Sequence, residues 1–312
     1  MIDFVGKKQW FFLISGILVI IGIAALVVSQ IQLGAALRLG IDFTGGTSMM
    51  LRFDPAVEQS QLREEMAKLD YNEARIQDAG EGDFIVYTRE ITSEEARDLA
   101  EELGTELDSQ VEITDYYLVS GTVGEETTRN AIIAVIIAAV AMMFYIMWAF
   151  RSMPRPFRWG VCAVAALIHD VFITAGIFAI LGLLADVAID ALFITGMLAV
   201  VGYSINDTVV IFDRIRENVS RHIRPDFAET VNDSIVETLG RCLNTSLTTL
   251  FVILALFLFG GATIHYFVLV LLIGITIGTY SSICISSQLL VVWEQGDWRA
   301  LLPFPKNPAL AK

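Results

Sequence analysis

The sequence has few charged residues for its length. Asp, Glu, Lys and Arg make up only 18% of the 312 residues, whereas a soluble domain usually has about 25%. Hydrophobic residues account for 55%, and the mean hydropathy is +0.62. Uncharged runs of about 20 residues or more, long enough to cross a bilayer, recur along the chain. These features exclude an ordinary soluble domain and predict a protein that crosses the membrane several times.

Residues typical of metal and nucleotide sites are also scarce. The chain has three cysteines, all in apolar stretches, and three scattered histidines: Cys162, Cys242, Cys284, His169, His222 and His265. This pattern indicates neither a disulfide framework nor a metal site. The sequence also lacks a Walker-type phosphate loop, which disfavours nucleotide hydrolysis. We therefore expect no enzyme, no cofactor and no bound metal.

The acidic charge is confined to one segment. The net charge is −14 at pH 7, and residues 30–129 alone contain 22 acidic and 8 basic residues. The rest of the chain is balanced. We therefore predict a water-exposed acidic domain inserted into a membrane-embedded chain. Nucleic acid is an unfavourable partner for an acidic surface of this size.

The remaining sequence contains six predicted membrane spans. They cover residues 10–28, 131–150, 159–182, 187–212, 242–259 and 266–293. The first span follows two lysines, as in a cleaved signal peptide, but the apolar core of a signal peptide has only about 7–15 residues. Here the uncharged stretch continues from Gln9 to Leu37. This length favours a retained signal-anchor helix.

The short connections predict the orientation, because cytoplasmic loops are rich in Lys and Arg. Arginines cluster in connections 151–158 and 213–241, whereas the links Asp186–Asp190 and Gly260–Thr263 contain no basic residue. We predict that both connections with arginines are cytoplasmic, the second with an amphipathic segment. The termini, residues 1–9 and 294–312, are then also cytoplasmic, and the 30–129 domain lies outside. The predicted location is the inner or plasma membrane.

The inserted segment is predicted to fold as βαββαβ. The expected strands are Thr47–Phe53, Ala74–Ala79, Phe84–Thr88 and Val111–Val119, with a turn at 80–83. Asp54-Pro55 predicts a helix start, and Thr92 with Glu95 predicts a capping box. The apolar stripes of the two helices are Val57, Leu62, Met66 and Leu69, then Ala96, Leu99, Ala100 and Leu103. This order is that of a ferredoxin-like α+β domain.

Ionisable side chains inside the spans are the candidate functional residues, because each costs about 2.5–3.5 kcal/mol at the membrane centre. His169-Asp170 lies in span three, Asn206-Asp207 in span four, and Arg241 opens span five. Asp207 lies about 8 Å inside the cytoplasmic face at 1.5 Å per residue, within reach of an inward-pointing Arg241. An ion pair that opens and closes would couple protonation to movement.

Structural interpretations of these residues stay open. Asp207 with Arg241 can be a simple interhelical bridge, and His169 with Asp170 can satisfy each other. The polar run after Arg241 can hold helices together, as can a G-x-x-x-G pattern in span six. That run consists of Asn244, Thr245, Ser246, Thr248 and Thr249, and the glycines are Gly274 and Gly278.

Taken together, several segments resemble the SecF family closely. The longest is Val201–Val210, VGYSINDTVV, followed by Phe212–Asn218, FDRIREN. The others are Gly40–Gly46, Leu167–Val171, Arg241 with the polar run after it, Phe259–Gly261 and Ile273–Thr279. The match covers nearly the whole chain in order. One departure is Ser120–Gly124, where the family commonly has a Gly-Pro before a Val-Gly pair.

The resemblance implies an RND-type half that works with SecD. Such a protein is an accessory to the SecYEG channel and the SecA motor, and it uses the proton gradient to help draw preproteins across the membrane. By resemblance, Asp207 and Arg241 are the proton-pathway residues. Possible supporting residues are Asn206, His169, Asp170, Asn244 and Thr245, and hinge or packing glycines are Gly45, Gly46, Gly274 and Gly278.

Two other functions compete with this one. The first is an RND exporter of small molecules, for which a single insert of about 100 residues leaves little room. The second is a purely structural subunit that stabilises SecD or the channel.

Overall fold

A computed structural model describes residues 3–80 and 82–298 of the chain. Part of the predicted turn at 80–83, the first two residues, and the predicted tail beyond Trp298 lie outside these described residues.

The elements alternate between long apolar helices and one small sheet. In chain order they are α1 (Lys8–Leu33), α2 (Ile41–Thr44), β1 (Gly46–Asp54), α3 (Gln59–Lys68), β2 (Arg75–Gly80), β3 (Asp83–Thr88), α4 (Ser93–Glu106), β4 (Gln110–Val119), α5 (Gly121–Ala149), α6 (Pro156–Leu184), α7 (Ala191–Ser220), α8 (Phe227–Phe259), α9 (His265–Ser281), a π-helical turn (Ser282–Ser286) and α10 (Ser287–Gln295). Within the described ranges, α1, α5, α6, α7, α8 and the segment His265–Gln295 are long and apolar enough to cross a membrane. The predicted six-helix architecture is confirmed.

The helices run past the ends of the predicted spans. α7 continues to Ser220 and α8 already begins at Phe227, so most of the predicted connection 213–241 is helical. Ile215, Val231 and Ile235 from these extensions are fully buried in the main helix core. Burial of one face maintains the helix where the other face is polar. Hydropathy alone finds only the uniformly apolar part of such a helix.

The sheet domain, Gly46–Val119, has the predicted βαββαβ order. Its strands pair antiparallel in the order β2-β3-β1-β4. α3 and α4 pack against one face of the sheet, where Leu51, Leu62, Val86 and Leu103 are fully buried. The ferredoxin-like fold is therefore confirmed. Its ends differ from the predicted 30 and 129, which fall within α1 and α5.

The two predicted helix starts in the sheet domain have different outcomes. The capping box at α4 is confirmed, with Thr92 N donating to Glu95 Oε2 at 2.7 Å and Glu95 N to Thr92 Oγ1 at 3.3 Å. The predicted cap at Asp54 is wrong. Asp54 ends β1, where it pairs with Gln110, and α3 begins later with Glu58 as its N-cap. Asp54 is thus part of the sheet, although the local sequence pattern predicts it as a helix cap.

Candidate functional site

Asp207 lies on α7 inside the helix bundle and is only 2% exposed. Its Oδ2 accepts a hydrogen bond from Ser246 Oγ of α8 at 3.1 Å. Ser246 Oγ in turn accepts one from Thr279 Oγ1 of α9 at 2.7 Å. A short line of hydroxyl groups therefore links the carboxylate to both neighbouring helices. These hydroxyls carry no charge, so they donate hydrogen bonds to the carboxylate without neutralising its charge.

Arg241 does not form the direct ion pair that its position in the sequence permits. It is exposed on α8, and in the described part of the chain no ion pair joins it to Asp207. The reason is helical geometry. Cys242 and Ser246, four residues apart, share the buried face of α8 that meets α7. Arg241 lies about 100° round the helix from Cys242.

Four of the predicted site residues form a polar face on the outside of this single chain. This α7–α8 polar face consists of Asn206, Arg241, Asn244 and Thr245, all of them exposed. Tyr203 of α7 links α7 to α8 within this face, since its hydroxyl donates to the carbonyl of Thr245 at 3.1 Å. Polar side chains in spans normally face protein or water rather than lipid. This face is therefore suited to contact another protein subunit or a water-filled space.

Asp170 is a second buried acid, 1% exposed, on α6. Its Oδ2 accepts hydrogen bonds from Ser204 Oγ of α7 at 2.7 Å and from Ser281 Oγ of α9 at 2.8 Å. Its Oδ1 lies 3.0 Å from His169 Nδ1. The sequence predicts the acid and the histidine as site residues but not the two serines. Ser204 was detectable, because it lies one helical turn before Asp207.

The helix after Ser281 changes its winding beside these acids. Ser282 begins the π-helical turn, and its hydroxyl donates to the carbonyl of Ser204 at 3.1 Å. The hydroxyls of Ser282 and Thr208 are 2.8 Å apart. Single π-helical turns are rare and occur frequently at functional sites. Here the turn directly follows Ser281, which donates to Asp170, and it contacts α7 at Ser204 and Thr208, on either side of Asp207.

The glycines of span six bring α7 and α9 close together. A Cβ atom on Gly274 would collide with Val200, and one on Gly278 would lie 2.8 Å from the Cβ of Ser204. Because both positions lack a side chain, the helices approach closely enough for Ser204 and Ser281 to reach the same carboxylate.

Gly45 and Gly46 lie where the sheet domain joins the helices. Both have positive φ values, +78° and +135°. A Cβ on Gly45 would lie 2.8 Å from the backbone N of Gly121, and one on Gly46 would lie 2.6 Å from the carbonyl O of Thr88. These glycines therefore allow tight backbone packing between α2, β3 and the start of α5.

A cavity of about 460 Å³ separates the sheet from the nearby helix ends. The Arg75 guanidinium lies in its wall, over the ring of Tyr87 at 4.7 Å. Burial lowers the pKa of Arg75 and raises the pKa of Tyr87. No local sequence pattern predicts this cavity, because its walls come from segments distant in the chain.

The described residues contain no group of three or more His, Cys, Asp or Glu side chains arranged to hold a metal. The three cysteines are unpaired and buried.

Comparison with known proteins gives consistent results. The family profile described as "Protein export membrane protein SecD/SecF, C-terminal" matches residues 99–296, and the "SecD/SecF GG Motif" matches residues 31–57. The chain is 42% identical to protein translocase subunit SecF of Thermobaculum terrenum over 96% of both chains. It is 38% identical to SecF of Anaerolinea thermophila over the full length of both.

A solved structure is also similar. It is the crystal structure of SecDF from Thermus thermophilus, described as a translocon-associated membrane protein, with a TM-score of 0.81 and 34% sequence identity. The match covers 94% of this chain and 39% of SecDF. The sequence profiles, the full-length relatives and the shared fold lead to one conclusion: this chain belongs to the SecF family of protein translocase subunits.

Proposed function

We propose that this SecF-family chain uses the proton motive force, together with SecD, to promote late export of preproteins through SecYEG after SecA has driven their entry. The observation that carries the proposal is the setting of Asp207. Its carboxylate is 2% exposed and bonded to a neutral hydroxyl. Burial favours the neutral acid, and an approaching cation favours the anion. A movement that brings Arg241 towards Asp207 would therefore release a proton.

The energy available suits repeated small steps. One charge that crosses a potential of 100 mV yields about 2.3 kcal/mol. This free energy shifts a two-state equilibrium by a factor of about 50, which is enough to bias the helix bundle. It is less than the roughly 5–15 kcal/mol by which folded domains are stable. Repeated pulls, or prevention of backsliding, match this energy better than a single power stroke.

The α7–α8 polar face supports a SecD subunit as the partner. This face presents Arg241 with Asn206 and Asn244, and polar or charged side chains of membrane helices normally face protein or water rather than lipid. In the similar SecDF structure, the matching part is 39% of a longer chain. A second six-helix half placed against α7 and α8 would remove these groups from lipid and let Arg241 approach Asp207.

Replacement of Arg241 by methionine should abolish gradient-dependent export, because methionine has similar length but no charge to stabilise the ionised Asp207. Export by membrane vesicles with and without an imposed proton gradient measures the effect. The control is Leu243→Met, which lies on α8 two residues away and is 41% exposed. Wild-type export by Arg241→Met would remove Arg241 from the mechanism. Full rescue by an Asp207→Asn/Arg241→Met chain would indicate a purely structural subunit.

We further propose that the protein lies in the inner or plasma membrane with both termini in the cytoplasm and the sheet domain outside. The distribution of arginines supports this orientation. Ser93 is exposed in the sheet domain. A cysteine introduced there should react with a membrane-impermeant thiol reagent added to intact cells whose outer membrane, if present, has been made permeable to the reagent. The native cysteines are buried and serve as the background. Labelling of Ser93→Cys only after cell lysis would reverse the orientation.

A further inference from the structure

Among the described residues, no Lys or Arg side chain pairs with the carboxylate of Asp170 to balance its charge. The groups that bond to it are His169 of α6, Ser204 of α7 and Ser281 of α9. α1 and the membrane part of α5 also pack on α6 or near it, and they contain no Asp, Glu or Arg between residues 9 and 33 or between 130 and 149. Tyr280 of α9 turns to α1, where its hydroxyl donates to the carbonyl of Phe11 at 3.2 Å. His169 is thus the only basic group within bonding distance among the described residues.

This arrangement favours one proton shared by the pair. An ionised Asp170 beside a neutral imidazole would leave one uncompensated negative charge in the bundle, which costs several kcal/mol. One proton, held on either Asp170 or His169, makes the pair neutral as a whole. His169 Nε2 is buried and has no hydrogen-bond partner among the described residues. It is therefore an unused nitrogen through which the pair can gain or lose that proton.

The pair lies close to Asp207 but nearer the sheet domain. Asp170 contacts α7 at Ser204, three residues before Asp207 and about 4.5 Å closer to the sheet-domain end of the helix. The hydroxyls of Ser282 and Thr208, 2.8 Å apart, join the π-helical turn to α7 next to Asp207. α7 and α9 supply donors to Asp170, and α9 also contributes through Thr279 to the hydroxyl line at Asp207. Relative movement of these helices changes both sites together.

We infer that His169 and Asp170 form a second proton-binding site, which receives a proton from the sheet-domain side and passes it to Asp207. The inference rests on the proposed use of the proton gradient. In each cycle the pair gains one proton and becomes neutral. It then loses that proton to ionised Asp207, which becomes the neutral acid and later releases the proton on the cytoplasmic side. No other group is consumed.

The test compares Asp170→Asn with Thr174→Val in the complex of this chain with SecD, reconstituted in lipid vesicles together with SecYEG and supplied with SecA. Thr174 lies one turn further along α6, is fully buried, and its hydroxyl has no partner in the described part of the chain. The control therefore removes a buried polar group of the same helix without touching the pair. Two quantities are measured: gradient-dependent export, and the infrared bands of carboxylic acids and imidazole during pH titration.

In Asp170→Asn, gradient-dependent export should fall on the order of 100-fold, the lower end of what positioned proton-transfer groups contribute. The infrared change assigned to the pair should disappear. Thr174→Val should retain both. Wild-type gradient-dependent export by Asp170→Asn, or identical titration spectra for Asp170→Asn and the wild type, would overturn the inference.

A further variant separates proton binding from helix clamping. Ser204→Ala/Ser281→Ala removes both hydroxyl donors but keeps the acid, so its infrared titration should still contain the band of Asp170. If neither the wild type nor any variant shows protonation of the His169–Asp170 pair, Asp170 only holds the helices together through its hydrogen bonds, and the inference is wrong. Normal export by Asp207→Asn would contradict the proposed function itself. If Asp207→Asn loses gradient-dependent export while Asp170→Asn exports normally, the second proton-binding site is contradicted but the proposed function is not.

Discussion

Asp207→Asn should abolish gradient-dependent export while the chain still assembles in the membrane. Asparagine has the same size as aspartate and can accept the hydrogen bond that Ser246 Oγ donates at 3.1 Å. It cannot bind and release a proton. We expect the gradient-dependent part of the export rate to fall by about 10²-fold or more. Export measured in vesicles with and without an imposed gradient gives the value directly.

The matched control is Asp213→Asn, which makes the same chemical change on the same helix. Asp213 is exposed near the end of α7 and pairs with Arg216. Exposed ion pairs contribute about 0–1 kcal/mol, so this variant should export and assemble as the wild type does. If Asp207→Asn also keeps its full response to the gradient, Asp207 carries no proton in this protein.

Gly46→Ala should destabilise the sheet domain by roughly 2–4 kcal/mol, the sum of backbone strain and overpacking. The φ of Gly46 is +135°, a region that residues with a side chain rarely adopt. A Cβ there would also lie 2.6 Å from the carbonyl O of Thr88. Thr88 belongs to a strand, so this oxygen cannot move away alone. Protease resistance and thermal unfolding of the full chain in mild detergent measure the loss.

Gly80→Ala separates the two causes. Gly80 also has a positive φ, +87°, but a Cβ there would meet no atom within 4 Å. In this control the stability of the sheet domain should fall only by the cost of the backbone conformation, about 1 kcal/mol. Equal losses at Gly46 and Gly80 would show that the contact with Thr88 contributes nothing. In that case the Gly45-Gly46 segment would be better described as a flexible connection than as a packed joint.

Much of the fold was predictable because its signals are local. Long apolar runs identify membrane helices, since the bilayer demands about 20 apolar residues. Strand alternation and the box of Thr92 and Glu95 likewise depend only on neighbours in the chain. The start of α3 was not predictable in this way. Asp54 is a good helix cap by itself, but its pairing with Gln110 of β4 extends β1.

The site was predictable only in part, for a similar reason. Asp170, Asp207 and Arg241 are recognisable from sequence because charge inside an apolar span is costly and therefore rare. Their partners are recognisable only in part. Ser246 follows Arg241 in the polar run and Ser204 lies one turn before Asp207, but the acid that each serine contacts, and the role of Ser281, depend on how the helices pack.

The amino-acid sequence by itself determined the six spans, the order of the βαββαβ domain and the identity of the buried acids, because hydropathy and periodicity act over short distances along the chain. Only the tertiary structure decided which side chains meet. The rotation of α8 places Ser246, and not Arg241, against Asp207. The approach of α9 at Gly278 brings Ser281 and Ser204 to one carboxylate. Rotation and approach depend on packing between distant segments, so no local pattern contains them.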